Sequence, residues 1–232
     1  MAILNTLMMT TAGSGSSCPS IEGTLWTWGR GYDYMGHNTA TSVTYSDPTQ
    51  VGSATNWTNN ACKWGWGNHH MIKSDGTLWY WGQNSYGCAG LDEGDHSTHK
   101  YSSPVQVGSD TDWAQCSIGE LGGEMAAFVK TDGTLWTCGR NVYGQLGHGD
   151  TTQRSSPTQV GSDTDWAAAD VGYRHMSFLK TDGTIWGVGW NDNGQIGDGT
   201  TIAKSSPVQA GSATNWIALE TSTYATRGIA SV

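Results

Sequence analysis

The densest set of groups able to do chemistry lies in residues 91–101, where Asp92, Glu93, Asp95, His96, His99 and Tyr101 fall within one short segment. Carboxylate oxygens and imidazoles in that combination can ligate a divalent cation. Their spacing matches no calcium-loop pattern, and such a charged run ordinarily forms a solvated loop. No metal or cofactor is therefore expected. A second group is Lys63-Trp64-Gly65-Trp66-Gly67-Asn68-His69-His70. Trp64 and Trp66 on a glycine-rich loop, with His69 and His70 beside them, suit a ligand or partner surface. His148 and His175 are isolated and read as structural. Catalytic constellations are missing: there is no G-x-S-x-G elbow, no H-E-x-x-H and no phosphate-cradling G-x-x-x-x-G-K. Carboxylates could meet through folding, as in glycosidases, but no spacing points to a pair. The chain is expected not to be an enzyme.

The elements that would position these residues follow from composition. The chain has 232 residues, of which 33 are glycine and 13 tryptophan, and only 13% are charged. Many glycines among many aromatics indicate tight turns between short packed strands, not disorder. The net charge of −9 and the lack of any basic run argue against nucleic acid as a partner. No stretch has the length of a membrane-spanning helix, so no membrane insertion is expected. The first basic residue is Arg30, so no secretory signal is expected either. The five cysteines (Cys18, Cys62, Cys88, Cys116 and Cys138) show no zinc spacing and no evident disulfide framework. They read as small buried hydrophobes.

Internal repetition is the strongest signal. Gly-Thr-Leu-Trp begins at Gly23, Gly76 and Gly133, and Gly-Thr-Ile-Trp at Gly183, with intervals of 53, 57 and 50 residues. Pro-x-Gln-x-Gly-Ser begins at Pro48, Pro104, Pro157 and Pro207, and a Trp after Asp or Asn recurs at Trp57, Trp113, Trp166 and Trp216. Asp75-Gly76, Asp132-Gly133 and Asp182-Gly183 are two-residue hairpin signals. An apolar run precedes each turn and Thr-Leu-Trp or Thr-Ile-Trp follows it. Pro-x-Gln-Val and the segment after Trp166 supply two more short strands. Four strands in about 50 residues is the size of a propeller blade. The expected fold is all-β: a β-propeller of four tandem blades over residues 20–232, with an N-terminal arm at 1–19. Residues 229–232 match the strand before the hairpin and residues 20–23 the turn after it. Pairing of the two ends is therefore expected to close the ring. The repeated tryptophans Trp26, Trp79, Trp136, Trp186, Trp57, Trp113, Trp166 and Trp216 are expected to pack blade on blade.

Two phrases carry a family likeness. Lys180-Thr181-Asp182-Gly183-Thr184-Ile185-Trp186 and Asn141-Val142-Tyr143-Gly144-Gln145-Leu146-Gly147 resemble the regulator-of-chromosome-condensation repeat family. The second recurs at residues 191–197 and decays at 84–90 and 30–36. The resemblance implies a propeller. Founding members have seven blades and exchange nucleotide on a small GTPase; this chain offers four units and no long inserted hairpin, so exchange activity is not carried over. The tryptophan-rich style looks like the bacterial and phage-encoded branch.

The arm carries an apolar tip, with Ile3, Leu4, Leu7, Met8 and Met9, followed by a Gly/Ser-rich spacer. That order suits an anchor to another protein. Together these features lead to the expected function: a non-catalytic virion surface component, such as a phage head or tail decoration or adhesion protein. Its partners would be capsid or tail subunits or a host-surface receptor, with homo-oligomerisation possible. Two other readings are a cytoplasmic scaffold or GTPase-regulating propeller, and a carbohydrate-binding propeller using Trp64 and Trp66.

Overall fold

The computed structural model describes residues 22–31, 34–39, 43–58, 67–94, 99–119 and 124–232. These form strands β1 (Glu22–Gly23), β2 (Trp26–Gly31), β3 (Val43–Gln50), β4 (Trp57–Thr58), β5 (Asn68–Ile72), β6 (Leu78–Gln83), β7 (Lys100–Gln106), β8 (Trp113–Ile118), β9 (Met125–Lys130), β10 (Leu135–Gly139), β11 (Arg154–Gln159), β12 (Trp166–Val171), β13 (His175–Lys180), β14 (Ile185–Gly189), β15 (Lys204–Gln209), β16 (Trp216–Thr221) and β17 (Thr226–Ala230). Among the described residues no helix is long and apolar enough to cross a membrane.

All pairing is antiparallel. β8 to β11 and β12 to β15 are four-stranded sheets, and β5 to β7 form a third that β4 joins through the Trp57–Lys73 bridge. These are three complete blades. Successive units touch through β5 and β8, β8 and β12, and β12 and β16. Two half-blades flank them. β2–β3 aligns Trp26 with Gln50 as β14–β15 aligns Trp186 with Gln209, so it is an outer half. β16–β17 aligns Trp216 with Ala230 as β12–β13 aligns Trp166 with Lys180, so it is an inner half. The expected closure differs from the structure here: β17 and β2 belong to separate two-stranded sheets.

The recurring Asp-Gly-Thr-x-Trp phrase is a clasp. Gly76, Gly133 and Gly183 have φ of 77°, 79° and 79°, the left-handed region that glycine enters without strain. A Cβ there would also collide with the carbonyl oxygen of Thr111, Thr164 or Thr214 in the linker to the next blade. In the last complete blade Thr184 donates its N–H and its hydroxyl to Asp182 Oδ1 at 2.9 and 2.7 Å. Trp186 Nε1 then donates to Thr184 Oγ1 at 2.9 Å. The same chain runs Trp136–Thr134–Asp132 and Trp79–Thr77–Asp75. Cores of Leu78, Ile118, Phe128, Leu135, Val171, Phe178 and Val188 fill the spaces between blades. The cysteines divide: Cys88 and Cys138 are free and buried, whereas Cys116 is disulfide-bonded. That departs from the expectation of small buried hydrophobes throughout, because pairing depends on the fold and not on spacing.

A second repeated device staples the outside of each blade. Lys180 Nζ lies 2.6 Å from Asp163 and 3.0 Å from Asp165. The ammonium also sits over Trp166 and Trp186, at 4.6 and 5.0 Å from the ring centroids. Lys130 repeats this with Asp110, Asp112, Trp113 and Trp136. Burial pulls both ammonium pKa values down, and the hydrogen bonds they donate to the two aspartates, with the carboxylate charges, outweigh it, so the net shift is upward. Lys73 keeps the ring contacts with Trp57 and Trp79, but Ala54 and Asn56 stand where the aspartates would be. Its pKa moves down instead, through burial. Lys180→Met should therefore cost about 2 kcal/mol of stability and Lys73→Met about 1 kcal/mol. Urea midpoints of the two variants check the ranking; equal losses would remove the carboxylates' part in it.

Candidate functional site

The loops that leave β6, β10 and β14 share one lock. Asn141 Oδ1 accepts from Leu146 N at 2.8 Å, and Gln145 Oε1 accepts from Tyr143 N at 2.8 Å. Asn191 and Gln195 make the same two bonds to Ile196 and Asn193 at 3.0 and 2.9 Å. Asn84 makes the first of them to Ala89, at 3.1 Å. The Asn-x-x-Gly-Gln phrase is thus a loop scaffold, and it frees the intervening side chains to face outward.

Beside those loops lie the β12–β13 and β16–β17 turns, and together they present an aromatic and cationic strip. The Arg174 guanidinium lies 4.6 Å from the Tyr173 ring, 5.2 Å from Tyr143 and 5.8 Å from Trp190. It donates to the Tyr143 hydroxyl at 2.9 Å and the Tyr173 hydroxyl at 3.1 Å. Trp190 continues the strip to Tyr224, with centroids 5.8 Å apart. Tyr224 and Val142 are exposed, and the others are half-buried. One unit earlier the arrangement differs. Arg140 stands where Trp190 stands, stacks on Tyr86 at 4.8 Å, and is neutralised by Glu124 at 2.5 Å. Glu124 occupies the position of Arg174. Among the described residues no carboxylate pairs with Arg174. Phenol oxygens satisfy two of its donors, and among the described residues nothing compensates its charge.

Residues 91–101 come together only in part. Glu93 Oε2 accepts a short hydrogen bond from the Tyr101 hydroxyl and lies 3.4 Å from His99 Nδ1. Asp92 turns away: its N–H donates to Ser155 O at 2.9 Å. Among the described residues no group of three or more His, Cys, Asp or Glu is placed to hold a metal. Asp95 and His96 lie outside the described residues, as do Trp64, Trp66 and the arm with Ile3, Leu4, Leu7, Met8 and Met9. His69 and His70 belong to no loop. They sit in β5, buried, stacked on Trp81 and Tyr80 at 5.1 and 4.8 Å. Alignment with Met176 and Ser177 of β13, through the shared register to the following strand, is the signal that would have placed them there. Arg174 had no such signal, because the units differ at that position.

Fold and site together define a class: a repeat-built β-propeller that presents an aromatic and arginine-bearing loop face. Part of the chain matches the Regulator of chromosome condensation (RCC1) repeat. Residues 132–179 and 182–220 match that repeat, and residues 167–195 match a second form of it. It is 28% identical over 149 residues to the human E3 ubiquitin-protein ligase HERC2, which is 64% of this chain and 3% of that protein. It is 37% identical over 92 residues to the X-linked retinitis pigmentosa GTPase regulator homolog of Caenorhabditis elegans, 39% of this chain and 6% of that one. Its fold is similar to human WBSCR16, with a TM-score of 0.75 at 18% identity over 90% of this chain and 54% of the other. Prp20p of Saccharomyces cerevisiae, studied for its binding to Gsp1p and histones, gives 0.73 at 17% over 90% and 52%. The chain therefore spans about half of these solved chains and a small fraction of the curated relatives.

Proposed function

We propose that this chain is a non-catalytic protein-interaction module whose loop face around Arg174 docks an acidic segment of a partner protein. The observation that carries this reading is the uncompensated guanidinium among Tyr143, Tyr173 and Trp190. Tyr, Trp and Arg dominate binding energy at protein interfaces. The rings hold the charge in one place, so little side-chain freedom is lost on docking. A partner carboxylate supplies what Glu124 supplies to Arg140. Affinity purification with the 232-residue chain and with Arg174→Glu and Trp190→Ala tests it. Partners held by the unsubstituted chain should be retained at least tenfold less by both variants, with melting curves unchanged. Equal retention places the binding surface elsewhere.

A second reading makes the partner a small GTPase. It draws on the name of the nematode relative and on the Gsp1p binding described for Prp20p. Its mark is a difference in binding between the GDP-loaded and GTP-loaded partner; equal binding to both removes it. The virion role, with capsid, tail or host-surface partners, has no support among these relatives. The carbohydrate reading rests on Trp64 and Trp66, outside the described residues.

A further inference from the structure

The two half-blades carry matching requirements. Trp26 and Trp28 on β2 are 45% and 60% exposed, and Ile229 on β17 is 45% exposed. Their counterparts inside the last complete blade are covered: Val188 stands at the position of Trp28 and Leu179 at that of Ile229, both buried. Three of the exposed large apolar side chains thus fall on β2 and β17, and among the described residues the second edge of each of these strands is unpaired. Unpaired edges of this kind template pairing with another strand.

A second, independent vacancy lies beside β16–β17. In each earlier unit the Asn-x-x-Gly loop packs on a Ser-x-Pro segment in the outer strand of the next blade. A Cβ on Gly87 would lie 2.7 Å from Ser155 Cα, and one on Gly144 would lie 2.6 Å from Ser205 Cα. Gly90 and Gly147 likewise back onto Pro157 and Pro207. Gly149 N donates to Ser205 O at 2.7 Å. In the last unit a Cβ on Gly194 or Gly199 meets nothing within 4 Å. This cleft runs between Gly194, Ile196, Trp216, Thr226 and Gly228. It is shaped for an outer strand with Ser-x-Pro. The chain has one such strand not used in this way: β3, with Ser46-Asp47-Pro48.

We propose that two copies of this chain complete each other's half-blades head to tail, β17 of each pairing with β2 of the other. The register follows from the last complete blade: Gly228 faces Trp26 and Ile229 faces Leu25, as Phe178 faces Trp186 and Leu179 faces Ile185. Ser46 of the partner subunit then seats on Gly194, and its carbonyl takes the N–H of Gly199. Two reciprocal joints close the pair by two-fold symmetry and pair both of these edges. The share of length fits: one chain covers 54% and 52% of the propellers it superposes on, so two copies make up about one ring.

Sedimentation of the 232-residue chain tests the proposal, with Thr24→Cys and Ala230→Cys as reporters. Those two positions correspond to Thr184 and Lys180, which face each other across a hydrogen bond of 2.9 Å. The chain should sediment at twice its single mass, and Trp28→Glu should halve it with the circular dichroism unchanged. Mixing the T24C chain with the A230C chain under oxidation should give a covalent pair that neither gives alone. A monomer overturns the proposal. So does a doubly substituted chain that cross-links within itself while the mixture stays unlinked, which would mean closure by its own strands. A ladder of larger species overturns the two-copy ring.

Discussion

Lowering the pH from 7 to 5 should destabilise this protein by about 4 kcal/mol, with His69 and His70 responsible for most of it. Both imidazoles are enclosed in β5. Burial lowers the pKa of His69 from 6.5 to about 4, against a smaller opposing effect from the Tyr34 backbone. Burial lowers that of His70 to about 3, with the Ala89 backbone opposing and His69 adding to the drop. Between pH 6.5 and these folded values the unfolded chain takes up two protons that the folded chain refuses. Stability therefore falls as the pH drops through that window and is flat above it. Each imidazole contributes about 2 kcal/mol at pH 5, from about 1.4 kcal/mol per unit below 6.5. Carboxylates act in a different window: Asp75, Asp132 and Asp182 are shifted down, chiefly by hydrogen bonds from the threonines of the clasp, and their contribution is lost only as pH falls below the ordinary Asp value of 3.8. Urea midpoints at pH 7, 6 and 5 separate the two. His70→Leu should halve the slope between pH 6.5 and 5. A midpoint that does not change between pH 7 and 5 would mean that the imidazoles are hydrated in solution.

Much of this architecture was legible because a blade is written in turn chemistry, and turn chemistry is local. Asp-Gly before Thr-x-Trp announces the hairpin whatever surrounds it. The blade-to-blade terms are another matter. Asp110 and Asp112 read as a polar linker, and only the fold shows that Lys130, eighteen residues on from Asp112, closes on both. Where the linker reads Ala54 and Asn56 the staple is reduced, and at Ala213 and Asn215 the facing residue is Ala230, with no lysine at all. The site was hidden for the opposite reason. Repetition exposes what every unit shares, and sharing marks scaffold. Arg174, Trp190 and Glu124 are positions where one unit departs from the next, so they carried no signal until the fold placed Arg174 beside Trp190 and Glu124 beside Arg140. Matching strand sequences state which edges are complementary and are silent on whether one chain or two bring them together.

Asp170→Ala should cost about 3–5 kcal/mol and should loosen the β16–β17 half-blade before anything else. Asp170 is buried on β12, in the middle of three inner strands. Its Oδ1 accepts from Ser117 Oγ on β8 at 2.8 Å. Its Oδ2 accepts from Thr221 N at 2.6 Å and Thr221 Oγ1 at 3.0 Å on β16. One carboxylate thus ties three successive blades together. Truncation leaves the Thr221 N–H buried with its acceptor gone, and that cost exceeds the loss of a surface bond. The two sides of Asp170 are not equally able to absorb it. Toward β8 the blades are also clamped by Gln115, whose side-chain amide exchanges hydrogen bonds of 2.8 Å with both the N–H and the carbonyl of Ala169. Toward β16 the neighbour is only a half-blade, with fewer strands to share the strain. Stability in such arrays is a sum of unit and nearest-neighbour terms, so the weakest joint opens first. Amide exchange should therefore speed up selectively in residues 216–230, with 113–159 nearly unaffected. Asp170→Asn, which keeps an acceptor but not the charge, should fall between the two. If exchange instead rises evenly across every blade, Asp170 is a keystone for the whole arc, and the half-blade is held by its packing against Ile185.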